Sequence, residues 1–232
     1  MYKGLKIKPP FFEIGPKAFI YGEEMLRLAK VIDKTAMKYD ADIIVTPQYT
    51  DISLLANNTE RIFVFAQHMD PLYPGRGLGS VLPEAVKAAG AVGVMLNHAE
   101  KPLSPEVLEQ TIKRADEVGL GTIVCADTVE DVKNIAKMAP NIIVAEPTEL
   151  IGTGTTSDSS YVTETIKTVE AINPDIMVLQ GAGISNGEDV YNTIKLGAQA
   201  TGTTSGIMKS DRPYEMVEEM IYNLRKAWDE LH

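Results

Sequence analysis

Three residues stand where an apolar run gives way to a turn, and their types suit proton chemistry. Glu146 closes "NIIVAE", His98 follows "AVGVMLN" and Lys17 closes "FFEIGPK". A carboxylate after Ile-Ile-Val-Ala starts beside a desolvated core, so it either pairs with a cation or has a raised pKa, and both recur at active sites. An imidazole and an ammonium beside such a base would supply a hydrogen-bond donor and a positive charge for a developing oxyanion. Taken singly, Lys17 and His98 read more simply as a solvated lysine and a capping histidine. Glu146 resists that reading, and the shared placement of all three at run ends is the stronger signal.

Glycine turns point to a class of ligand. Gly152 and Gly154 flank Thr153 beyond Glu146, Gly181 and Gly183 follow "IMVLQ", and Thr204-Ser205-Gly206 ends the last run. Backbone N–H groups in such turns bind anions, so the spacing suggests a small phosphorylated substrate, its reacting carbon between Glu146, His98 and Lys17. No metal site is expected: His68 and His98 end separate runs, and the chain has no H-x-x-x-H or C-x-x-C spacing. Cys125 lies inside "TIVCAD" and is expected to pack there rather than react.

Eight short apolar runs position these groups: 11–17, 42–47, 62–67, 91–97, 122–127, 141–146, 176–181 and 199–206. The middle six are almost continuously apolar, as strands of a parallel sheet covered on both faces are. Amphipathic segments lie between them. One puts Met25, Leu28, Ala29, Ile32 and Ala36 on a single stripe. Another opens with Ser104 as N-cap and Pro105 at the first helical position, and ends at Gly119. The segments after the second and fifth runs are shorter. Strand then helix, eight times in 232 residues, predicts one (β/α)8 barrel domain over 1–232. A doubly wound sheet would need fewer strands and a glycine fingerprint after the first, which "GPKAFIYG" is not. In a barrel the strand ends named above share one face.

The chain carries a formal net charge of -10, which argues against nucleic acid or anionic membranes as partners. One cysteine excludes an internal disulfide framework and fits a reducing cytoplasm. No run approaches the roughly 20 apolar residues that span a bilayer, and "MYKGLKIKPP" has no apolar core of a signal peptide.

In order along residues 11 to 215, "TPQYTDI", "FAQHMDP", "AGAVGVMLNHAE", "AEPTELIGTG", "VLQGAGISNGEDV" and "TSGIMK" resemble the triose-phosphate isomerase family in its short archaeal-type form. The resemblance implies a barrel enzyme that interconverts glyceraldehyde 3-phosphate and dihydroxyacetone phosphate through an enediolate, without cofactor or metal. It implies Glu146 as the proton-shuttling base, His98 as a neutral electrophile and Lys17 as the stabiliser of charge. Glu100 would support Lys17. Gly152, Gly183, Thr204 and Ser205 would offer backbone N–H groups to the phosphate, and residues 147–156 would form a lid. A homodimer or homotetramer is implied, interlocked through "PLYPGRGLGS".

The chain departs from that pattern near the substrate. Gly15 replaces the Asn usual two residues before the lysine, Ala99 replaces a Ser after the histidine, and Leu78 stands where a Thr reaches into the neighbouring subunit. Gly15 and Ala99 are expected to leave extra room. Two alternatives therefore stand beside a divergent triose-phosphate isomerase: a paralogue acting on another phosphosugar, such as a tetrose phosphate, and a non-catalytic phosphosugar-binding sensor.

Overall fold

Eight strands close into one barrel, each hydrogen-bonded in parallel to the next and the eighth back to the first, in the computed structural model, which describes residues 1–232. They are β1 (Phe11–Ile14), β2 (Asp42–Val45), β3 (Phe63–Ala66), β4 (Gly93–Leu96), β5 (Gly121–Ala126), β6 (Ile142–Ala145), β7 (Met177–Gln180) and β8 (Ala200–Thr203). Side chains alternate across a strand, which explains the almost continuous apolar runs. Phe11, Ile44, Phe65, Ile123, Val144, Leu179 and Ala200 fill the barrel interior. Phe12, Ile14, Ile43, Val45, Ile143 and Val178 face outward into a larger core shared with the helices.

The surrounding helices are α1 (Gly22–Tyr39), α2 (Ile52–Ala56), α3 (Pro83–Ala88), α4 (Pro105–Val118), α5 (Val129–Lys137), α6 (Ser159–Ile172), α7 (Gly187–Lys195), α8 (Ser205–Met208) and α9 (Pro213–Asp229). The expected stripe of α1 is buried from Met25 to Ala36. The Ser104 hydroxyl caps α4 by accepting from Val107 N–H, and Gly119 ends it at φ 75°, in the left-handed region that glycine enters without steric cost. α2 and α5 are short as expected, and so is α3, which follows a long crossing from 67 to 82.

Every strand stops short of its apolar run, and β1 and β8 do so by the most, three residues each. β1 ends at Ile14 because Pro16 has no N–H to continue a ladder and Lys17 turns to φ 47°. β8 ends at Thr203, and 204–206 already begin the short α8. Both changes place the predicted groups on turns above the sheet, where backbone N–H groups and side chains are free to meet a ligand.

Candidate active site

Lys17, His98, Glu100, Glu146, Gly152, Gly183, Thr204 and Ser205 all line one cavity of about 490 Å³ at the carboxyl ends of the strands. Lys17 owes its place to an unusual backbone. Its φ of 47° costs a residue with a Cβ roughly 1–2 kcal/mol. Two amides hold it there: Gln48 Nε2 and Gln67 Nε2 donate to the Lys17 carbonyl at 2.7 and 2.9 Å. The Lys17 ammonium then donates to Glu100 Oε1 at 2.6 Å. That hydrogen bond draws the Glu100 carboxyl below its ordinary pKa.

His98 Nδ1 accepts a hydrogen bond from the Glu100 N–H at 3.0 Å. A ring nitrogen that accepts has no proton, so the neutral ring carries its proton on Nε2. Burial lowers the His98 pKa, and the Lys17 charge lowers it further, so the ring stays neutral at physiological pH. Glu146 follows β6, and its Oε1 accepts from Ala182 N–H at 3.1 Å. Burial raises its pKa, while Lys17 and the Ala182 N–H oppose the rise. A partly desolvated carboxylate, a neutral imidazole donor and an ammonium thus meet in one cavity, with the means to move a proton on carbon and hold an oxyanion.

The opposite wall is a set of donors. The N–H groups of Gly152, Gly183, Thr204 and Ser205 reach no backbone carbonyl of the chain. Gly152 and Gly183 have φ 75° and 72°, which tilts their N–H groups out of any regular ladder. Residues 147–156 lie over this wall. Thr148 N–H donates to Asp127 Oδ1 at 2.8 Å, which pins one end of the segment to the end of β5. The other end presses on the β7 turn, where a Cβ at Gly183 would meet the Thr155 carbonyl oxygen at 1.9 Å.

Three side chains that line the cavity were not singled out in the sequence. Gln48 and Gln67 sit within the quoted motifs "TPQYTDI" and "FAQHMDP", but their task depends on the turned carbonyl of Lys17. Glu13 lies within "FFEIG", the same kind of signal as Glu146: a carboxyl embedded in an apolar strand. It is 8% exposed and lines the cavity. The room expected beside Gly15 is not empty. A Cβ on Gly15 would stand 2.9 Å from Glu13 Oε1, so the Glu13 carboxyl already occupies that space. Ala99 is exposed on the turn after His98.

A family model described as "Triosephosphate isomerase" matches residues 17–220. The chain belongs to that family. Among curated relatives, "Triosephosphate isomerase" of Sulfurisphaera tokodaii is 38% identical over 228 residues, covering 96% of this chain and 99% of its own. That of Sulfolobus acidocaldarius is 37% identical over 227 residues, covering 96% and 98%. That of Methanocaldococcus jannaschii is 37% identical over 203 residues, covering 86% and 92%. These archaeal sources agree with the short form that the motifs resemble. The family match begins at Lys17 and therefore leaves β1, with Glu13 and Gly15, outside it.

Proposed function

We propose that this chain is an aldose-ketose isomerase that interconverts glyceraldehyde 3-phosphate and dihydroxyacetone phosphate, the step shared by glycolysis and gluconeogenesis. The reading is carried by one observation: Glu146 is held against a desolvated wall in the same cavity as a histidine whose proton is on Nε2. The Glu146 carboxylate takes the proton from the carbon beside the carbonyl. His98 Nε2–H protonates the carbonyl oxygen, and the Lys17 ammonium stabilises the enediolate. Glu146 returns its proton to the neighbouring carbon, while the proton on the other oxygen passes back to His98. The molecule is neither oxidised nor reduced overall, so the step consumes no redox cofactor.

Glu100 positions Lys17. The phosphate accepts from the N–H groups of Gly152, Gly183, Thr204 and Ser205. Residues 147–156 close as a lid that excludes water, and phosphate binding far from the reacting carbons favours closure. Glu13, by filling the space beside Gly15, favours the three-carbon substrate over a tetrose. The names of the relatives support the same activity.

No helix is long and apolar enough to cross a membrane. We infer a cytoplasmic enzyme that assembles as a homodimer or homotetramer, as the family resemblance implies, with the 67–82 crossing and its exposed Leu78 as the candidate contact. A panel of phosphorylated aldoses and ketoses tests the activity. Efficient turnover of the triose phosphates is expected. Turnover confined to four- or five-carbon phosphosugars would replace this reading with the paralogue, and binding without solvent-deuterium exchange would replace it with the sensor.

A further inference from the structure

The floor of the cavity holds a carboxyl that the proton shuttle does not use. Glu13 shares the inward face of β1 with Phe11, and its register partner on β8 is Gly202. Two glycines make room for it. A Cβ at Gly15 would lie 2.9 Å from Glu13 Oε1, and one at Gly202 would lie 3.1 Å from Oε2 and 2.8 Å from the Glu13 carbonyl oxygen. The carboxyl makes one hydrogen bond within the chain, accepting from the Thr46 hydroxyl through Oε1 at 2.9 Å. Its other oxygen is left for the cavity.

We propose that Glu13 is a substrate-contacting residue: its neutral carboxyl donates a hydrogen bond from Oε2 to an oxygen of the reacting hydroxy-carbonyl end, from the space that a side chain at position 15 would otherwise fill. The inference rests on the reading of this cavity as the place where an enediolate forms.

The surroundings explain why this carboxyl keeps its proton. Burial raises its pKa to about 8, Glu146 adds to the rise, and the Thr46 hydrogen bond and the Lys17 charge oppose it. The groups facing it from other elements are the uncharged Thr46 after β2, Gly202 on β8, Thr204 after β8, the Cys125 thiol on β5, Glu146 after β6 and Lys17 after β1. Burial pushes the Cys125 thiol well up, so it stays neutral. Lys17 is thus the one cation in this set, opposed by one carboxylate. A second ionised carboxyl would repel both Glu146 and an enediolate, whereas a protonated one donates to it.

The test measures affinity for 2-phosphoglycolate, a planar carboxylate that mimics the enediolate, divided by affinity for inorganic phosphate, which reads only the phosphate turns. Glu13→Ala is expected to lower this preference by roughly ten- to a hundredfold, the loss of one hydrogen bond to a charged group. Glu13→Gln keeps the shape, the acceptor for Thr46 and a neutral donor, so it should stay within about threefold of wild type. The double variant Glu13→Ala with Gly15→Asn vacates the space and refills it with an amide, and should regain most of the loss.

Wild-type preference should fall above about pH 8, as Glu13 ionises, and that fall should be absent in Glu13→Gln. Wild-type preference in Glu13→Ala would overturn the proposal. So would a loss that Glu13→Gln shares and the double variant fails to repair, because Glu13 would then serve packing alone. Circular dichroism confirms that each variant folds, and Glu13→Gln decides the matter should Glu13→Ala not. Failure of triose-phosphate turnover would remove the proposed activity and still leave this preference to be read.

Discussion

Replacing Glu13 by glutamine should change how the stability of this protein depends on pH, and the size of the change can be worked out beforehand. The carboxyl titrates at 4.5 when exposed and at about 8 in the fold. Between those values the folded chain keeps a proton that the unfolded chain has released. Stability therefore falls as pH rises, by about 1.4 kcal/mol per pH unit, and by about 5 kcal/mol over the whole interval. Below 4.5 the contribution is complete, and above about 8 it is gone. Glutamine has no proton to lose, so Glu13→Gln removes this slope and leaves those of all other groups in place. From pH 5.5 to 7.5 the stability of the variant should rise relative to wild type by about 3 kcal/mol. Urea unfolding at several pH values measures the difference, and a single protein concentration for both cancels any effect of self-association. Parallel curves for the two proteins would mean that Glu13 is already ionised in the fold, and the neutral-donor role would fall with it.

Glu146→Asp retracts the base by one methylene and should lower kcat by at least about 10²-fold, while affinity for inorganic phosphate stays nearly unchanged; wild-type kcat would remove Glu146 from the chemistry. The acid limb of kcat/KM should lie above the ordinary carboxylate value of 4.5, because burial raises the Glu146 pKa and activity is lost as falling pH protonates it. Lys17→Met should move the limb higher still, since Lys17 holds that pKa down, and a limb that stays put would contradict the coupling. Gly183→Ala drives a Cβ to 1.9 Å from the Thr155 carbonyl oxygen at a backbone φ of 72°. It should weaken phosphate binding roughly tenfold by displacing the lid and the turn together, as calorimetry would report. Leu78→Asp should shift sedimentation toward smaller species, and an unchanged profile would mean that the 67–82 crossing does not join subunits.

The barrel was legible because its signals are local and repeat. Short runs buried on both faces, caps such as Ser104 and stops such as Gly119 mark each strand and helix on their own. Glu146, His98 and Lys17 were legible because a barrel collects strand ends on one face. Gln48 and Gln67 were hidden for a different reason: they serve a carbonyl that is exposed only because Lys17 adopts a left-handed backbone. Glu13 was hidden by its depth. Attention to strand ends passes over a residue inside "FFEIG", and only the alternation fixed by Phe11 turns it inward. Gly15 misled for the same reason. A missing side chain implies space only when nothing enters from two residues away, and here Glu13 does.

The closeness of Glu13 and Gly15 also ties the two positions together. With a Cβ at 15 only 2.9 Å from Glu13 Oε1, a side chain at 15 obliges the Glu13 carboxyl to swing aside. Neither position changes alone: a side chain at 15 moves the carboxyl, and a small residue at 13 leaves the floor without it. The pair therefore acts as a unit, and in a double-mutant cycle substitutions at 13 and 15 should couple rather than add.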